Sequence, residues 1–312
     1  MSDLHDCLIV GAGPAGLTAA TYLARYRRDV VVLDAGRSRA RWIPASHNCP
    51  GFPFGVAGNE LLARFRAQAE SHRVPFEHVC VDAVDRAGEA FRVSGGAKSW
   101  RARSVLLATG VVDRLPRVEG VEEAIAAASL RLCAVCDAYE ARDEAIGVYA
   151  PLEEGLGHAA FLRTFSAEVH LLVPDDVEPS AEQRARAREA GLAVHTGVRG
   201  LRFPTGGCAA VLRDGTSLRL DTVYPVLGSD ASAGMVASLA PTLDADGKLV
   251  VDGAMQTSVP GLFAAGDIVS GLNQISVAVG HAAVAATAIH RRLPPNPRIR
   301  TACGPGSRGS GA

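Results

Sequence analysis

Two groups of residues in this chain have types and spacings that could do chemistry. Cys133-Ala-Val-Cys136 sets two thiols apart by two residues, a spacing that lets an intramolecular disulfide open and close at the start of a helix. Asp137 follows at once, so a carboxyl group can pass a proton to or from a departing thiolate. The second group is Gly11-Ala-Gly13-Pro14-Ala15-Gly16, which follows the apolar residues 8–10. A glycine-rich turn after a strand can hold the pyrophosphate of a dinucleotide. Together the two groups suggest electrons passing between a bound cofactor and a dithiol.

The elements around each group must position it. Residues 17–25 read as a helix, and residues 30–33 read as the next strand, closed by Asp34. This is the strand–helix–strand setting that the glycine motif needs. Gly11 permits the tight turn, Gly13 lets backbone approach the pyrophosphate, and Gly16 brings helix and strand together. Pro14 and Ala15 open the helix, whose N-terminal N–H groups favour an anion. Asp34 stands where an adenosine ribose is held. The motif alone does not choose between FAD and NAD. Residues 105–110 form a further apolar strand ending in Thr109-Gly110, and residues 261–267 form another ending in Gly266-Asp267.

The dithiol is not read as a metal site. Structural zinc takes four ligands. No second pair has this spacing, and Cys7, Cys49, Cys80, Cys208 and Cys303 show no matching pattern, so no metal is expected. The 312 residues suffice for two domains, and a formal net charge of -1 gives no field that favours nucleic acid or an anionic membrane. Aromatic residues are only 5%, which leaves few platforms for stacking bases. No apolar run matches a bilayer span, and the N-terminus does not read as a secretory signal. Seven scattered cysteines with one close pair fit a reducing cytoplasm.

Residues 5–292 resemble the low-molecular-weight thioredoxin reductases. The resemblance rests on the 11–16 turn, Asn48 in His47-Asn48-Cys49-Pro-Gly51, Thr109-Gly110, the motif from Cys133 to Asp137, and the stretch from Gly266 to Gln274. It implies an α/β fold with two Rossmann-like three-layer domains, of the two-dinucleotide-binding flavoprotein type. The FAD-binding domain would be discontinuous, 1–114 and 239–292. An inserted domain, 115–238, would carry the dithiol and rotate to expose it. FAD is the implied cofactor. Asp267 would reach its ribityl or pyrophosphate region, and Asn48, Gln274 and Ile275 would lie beside the flavin ring. Cys136 would face the flavin, Cys133 would attack a partner disulfide, and Asp137 would act as the acid. The implied partner is a thioredoxin-like protein, or a small dithiol or disulfide, and the implied assembly is a homodimer. Residues 293–312, rich in Pro and Gly, read as a disordered tail.

The resemblance fails at the second nucleotide site. After a strand expected over 144–149, a reductase using NADPH shows Gly-x-Gly-x-x-Ala. This chain has Ala150-Pro151-Leu152-Glu153-Glu154-Gly155. The following helix is expected from Gly157. Leu152 would put a side chain where backbone should meet pyrophosphate, and Glu153 and Glu154 would repel phosphate. Asp175 and Asp176 replace the cationic clamp that relatives use for the 2′-phosphate. NADPH is therefore disfavoured, which leaves several readings open. One is a disulfide reductase fed by ferredoxin or a second flavin carrier. Another is a dithiol oxidase passing electrons to oxygen. A third is an NADPH-dependent reductase with a divergent site, and a fourth is a redox sensor that keeps FAD.

Overall fold

Cys7, Leu8, Ile9 and Val10 are all buried in β1 (His5–Val10), the pattern of a strand covered on both faces. In the computed structural model, which describes residues 4–269 and 271–297, this strand is the centre of a large sheet. β1 pairs in parallel with β2 (Val30–Asp34) on one side and β6 (Lys98–Leu107) on the other. β3 (Phe76–His78) extends the β2 edge. β4 (Ala83–Ala87) and β5 (Ala90–Gly95) add an antiparallel hairpin beside the first half of β6. β16 (Leu262–Ala264) runs parallel to the end of β6. The strands that end at the glycine turn, at Thr109-Gly110 and at Gly266-Asp267 therefore lie side by side.

Two helices cover one face of this sheet, α1 (Pro14–Arg25) and α7 (Ile275–Arg292). Ala15, Ala19 and Ala20 of α1 share a buried cluster with Ala278, Ala282, Ala285 and Ala286 of α7. Small side chains on both helices let their axes approach closely, over Ile9 and Phe263. α2 (Gly58–Ser71) joins the same layer through Ala69.

The second lobe has its own parallel sheet, in the order β10 (Ala193–His195), β9 (Val169–Leu172), β8 (Ile146–Tyr149), β14 (Thr222–Pro225). α5 (Leu152–Leu162) and α6 (Ala181–Glu189) connect its first three strands in sequence. α6 opens with a reciprocal cap between Ser180 and Gln183. An antiparallel sheet of β11 (Gly200–Arg202), β12 (Cys208–Val211) and β13 (Ser217–Leu220) completes the lobe. α3 (Val121–Ala126) and the single turn α4 (Ala134–Asp137) precede it. The two chain crossings between the lobes pair with each other. β7 (Val111–Asp113) lies antiparallel to β15 (Ser229–Ala231), and the Arg114 N–H donates to the Gly228 carbonyl at 3.0 Å.

Three sequence expectations need adjustment. The strand expected from residue 144 starts at Ile146. The helix expected from Gly157 starts five residues earlier, at Leu152, directly behind Pro151. The tail begins docked. Leu293 is buried, the Pro294 carbonyl accepts from Arg28 at 2.8 Å, and Asn296 donates to the carbonyl of Tyr26 at 3.0 Å. The guanidinium of Arg28 is buried and must find acceptors, which ties this stretch to the end of α1. Residues 298–312, Cys303 among them, lie outside the described residues. No described helix is long and apolar enough to cross a membrane.

Candidate active site

Cys133 is the N-cap of α4, and Cys136 and Asp137 are its last two residues. The Cys136 and Asp137 N–H groups both donate to the Cys133 carbonyl, at 3.0 and 3.2 Å, which folds the two sulfurs toward each other. They form a disulfide with 5.2 Å between Cα atoms. Across from it stands Gln274, the N-cap of α7 in the other lobe. Its Nε2 donates to Cys136 Sγ at 3.2 Å and to Cys133 Sγ at 3.4 Å. Its Oε1 accepts from Asn48 Nδ2 at 2.9 Å. Three segments distant in sequence thus meet at the sulfurs.

The same place opens into a cavity of about 500 Å³. Cys133, Cys136, Asp137, Asn48, Gln274 and Ile275 line it. Gly11, Gly13, Pro14, Ala15 and Asp34 also line it, as do Thr109, Gly110, Gly266 and Asp267. Gly16 is the exception among the expected residues. It sits behind the turn, where a Cβ would lie 1.9 Å from the Gly11 carbonyl oxygen.

The turn fits a dinucleotide. Gly11 has φ of +104°, a conformation that residues with a Cβ avoid. Gly13 has an ordinary φ of -76°, and a Cβ there would meet only Ser38 Oγ at 3.4 Å. The fold itself does not require glycine at 13, so the space a side chain would take is cleft, free for a ligand's approach. Asp34 ties the turn down. Its Oδ1 accepts from the Ala12 N–H and its Oδ2 from the Gly36 N–H, both at 3.0 Å. The residues present therefore suit the pyrophosphate of a dinucleotide such as FAD along the turn.

Arg39 was not singled out by the sequence reading, yet it sits in this wall. It pairs with Asp113 at 2.5 Å and approaches Asp267 at 3.6 Å. Burial pushes the Asp267 carboxyl above its ordinary range, and Arg39 and Lys248 pull it back. Asp137 has a similar balance. Burial raises its carboxyl, while Arg131 and the Tyr224 hydroxyl hold it down. Tyr224 Oη donates to Asp137 Oδ1 at 2.9 Å. A buried tyrosine must find an acceptor, but no local pattern names one 87 residues away. Cys49 packs with Val56 and Leu61, apart from the disulfide.

A second, outer cavity of about 1080 Å³ lies between the lobes. Cys133 lines it and Cys136 does not. The disulfide therefore stands in the wall between two cavities, with Cys136 facing inward only and Cys133 facing both. Val135, Phe161 and Leu272 expose apolar surface around the outer one.

The 150–155 turn borders that outer cavity and differs from the 11–16 turn. Ala150 is fully buried and is not among the residues with positive φ. Leu152 is buried in the core of its lobe with Ile146, Leu156 and Val173, and so does not stand over the turn as the sequence reading expected. As the first residue of α5, it turns its side chain inward to fill that core. Glu153 and Glu154 face outward instead. Glu153 is held by Arg186 at 2.5 Å and Gln183 at 3.0 Å. Gly155 and Gly157 both lie within α5. Of the three arginines on α6, Arg184 pairs with Glu178 and Arg186 with Glu153. Asp176 pairs with Arg213 at 2.6 Å.

Comparisons agree with this geometry. Residues 5–282 match the pyridine nucleotide-disulphide oxidoreductase family. A thioredoxin reductase of Mycolicibacterium smegmatis is 33% identical over 278 residues, covering 85% of this chain and 89% of that protein. The crystal structure of thioredoxin reductase from Streptococcus pyogenes MGAS5005 superposes with a TM-score of 0.85 at 26% identity, covering 93% of this chain and 98% of that one. The crystal structure of HlmI gives 0.86 at 29% identity, covering 93% of each chain. With a glycine turn, a cleft and a disulfide arranged as described, the chain belongs to the pyridine nucleotide-disulphide oxidoreductase family, as a thioredoxin reductase-like, FAD-dependent disulfide oxidoreductase.

Proposed function

We propose that this protein reduces the disulfide of a thioredoxin-like protein through Cys133 and Cys136, with electrons from a donor other than NADPH held at the 150–155 turn. The observation that carries the reading is the asymmetry of the disulfide, with Cys133 on both cavities and Cys136 on the inner one alone. The relatives named thioredoxin reductases support the partner. Gly11, Gly13, Pro14, Ala15, Asp34, Thr109, Gly110, Gly266 and Asp267 would hold FAD, with Gly16 setting the turn behind them. Asn48, Gln274 and Ile275 would flank its ring. When bound, FAD supplies a two-electron store beside the disulfide.

The protein's own residues do the rest. Two electrons break the Cys133–Cys136 bond and leave two thiolates. Asp137, held protonated to higher pH than an exposed aspartate by its burial, gives a proton to one of them. The Gln274 amide stabilises the other, since it already donates to both sulfurs. The Cys133 thiolate then attacks the partner disulfide, forming a mixed disulfide and expelling one partner thiolate. Cys136 attacks the Cys133 sulfur, which restores the internal disulfide and expels the second partner thiolate. Two electrons end on the partner; Asp137 takes its proton back as Cys136 attacks, and the two expelled partner thiolates take their protons from water. The donor side is a ferredoxin-type protein or a second flavin carrier. The lobes divide at 114/115 and at the β15 crossing rather than at 238/239, because Val236 and Leu239 pack in the core of the first lobe, and rotation about the paired crossings exposes Cys133 further.

The outer cavity favours a second reading, because its size also suits a small dithiol closed in the reverse direction, with electrons passed to oxygen. The test is trapping. Cys136→Ser accumulates a mixed disulfide between Cys133 and thioredoxin, and Cys133→Ser does not. Equal trapping by both variants contradicts the assignment. Rapid oxygen uptake with a small dithiol, and no thioredoxin reduction, selects the second reading.

A further inference from the structure

Asp137 lies at the end of a single helical turn, too short to hold a side chain by itself. What holds it comes from elsewhere in the lobe. Tyr224 on β14 is 2% exposed, and its hydroxyl donates to Asp137 Oδ1 at 2.9 Å. Arg131, from the segment before the dithiol, approaches the other oxygen, Oδ2, at 3.5 Å and also donates to the Asp137 carbonyl at 3.4 Å. Glu140, just past α4, and Glu144, just before β8, are the other charged groups acting on this carboxyl. The hydroxyl and the guanidinium favour the carboxylate, while burial and the glutamates favour the acid. Of these groups only Tyr224 makes a short, directed bond to one named oxygen.

We propose that Tyr224 is a positioning residue for the proton transfer at the dithiol: by donating to Oδ1 it fixes the carboxyl plane of Asp137. The proposal rests on the reading of Asp137 as the acid. Its consequence is specific. The Tyr224 hydroxyl stabilises the charged form of Asp137, so its removal keeps Asp137 protonated to higher pH. An acid acts only while protonated, so the fall in rate with rising pH must move upward.

The experiment uses the FAD-loaded protein and dithiothreitol as reductant. A dithiothreitol thiolate attacks one sulfur of the Cys133–Cys136 bond to form a mixed disulfide, the other cysteine leaves as a thiolate and takes the Asp137 proton, and the second dithiothreitol sulfur closes the ring and expels the first cysteine as a thiolate. The rate, corrected for the thiolate fraction of dithiothreitol, is followed against pH. In Tyr224→Phe the fall moves up by about 1 pH unit, the size expected for one lost hydrogen bond to a charged acceptor. With 3-fluorotyrosine at position 224, a stronger donor, it moves down. Asp137→Asn abolishes the fall, and adding Tyr224→Phe to it changes nothing further. A Tyr224→Phe profile superposed on the unaltered one, or an equal loss of rate by Tyr224→Phe with and without Asp137, overturns the role of Tyr224. An Asp137→Asn profile like that of the unaltered protein overturns the acid reading itself, and the two failures are distinguishable.

Discussion

The 11–16 and 150–155 turns occupy the same place in their lobes, after a parallel strand and before a helix, yet they suit different tasks. Both keep glycine at the last position, Gly16 and Gly155, because helix and strand must approach there. At the first position Gly11 takes φ of +104° and Ala150 does not take a positive φ. At the third, Gly13 leaves open cleft, while Leu152 fills the core of its own lobe. The residues after the third position also differ. Pro14 and Ala15 follow Gly13, whereas Glu153 and Glu154 follow Leu152. The fold thus preserves what packing needs in both lobes. Only the first-lobe turn also carries a glycine with positive φ and a second glycine that faces open cleft.

Substitutions at the glycines separate the two turns. The largest effect is expected at Gly16→Ala, whose Cβ would lie 1.9 Å from a backbone oxygen. It should cost roughly 1–3 kcal/mol of stability, read by thermal unfolding, and release FAD as the turn shifts. Gly13→Leu comes next. It should weaken FAD binding at least about tenfold, ~1.4 kcal/mol, while the apoprotein loses less than about 1 kcal/mol. Equal FAD retention would mean that residue 13 is not on the cofactor's path. The smallest effect is expected at Gly155→Ala. There the Cβ would meet only side-chain atoms, Leu171 Cδ1 at 2.3 Å and Ala150 Cβ at 3.0 Å, and the gain in helix propensity, about 1 kcal/mol, offsets part of the cost of moving the buried Leu171. A loss as large as that of Gly16→Ala would show that the two turns are not so different.

The sequence made the first turn and the dithiol legible because their chemistry sits in contiguous residues. Spacing alone identifies Gly11, Gly13 and Gly16, and Cys133 with Cys136. Resemblance added Asn48 and Gln274, which the structure joins by a hydrogen bond beside the sulfurs. What was not legible depends on distant partners. Tyr224 reaches Asp137 across 87 residues, and Arg39 links Asp113 to Asp267 across two strand ends. The direction of Leu152 was also hidden. Glycines at 155 and 157 suggest a loop by propensity, but packing against Leu171 rewards Gly155 inside a helix. The docked start of the tail follows from the burial of Arg28, which composition does not reveal.

The contrast between the two turns is tested most directly by mixing oxidised, FAD-loaded protein under argon with NADPH and, separately, with dithiothreitol, and following the flavin absorption band. Dithiothreitol should bleach the band through Cys133 and Cys136, and NADPH should not. Prompt bleaching by NADPH, or a flavin band that dithiothreitol leaves unchanged, would contradict this.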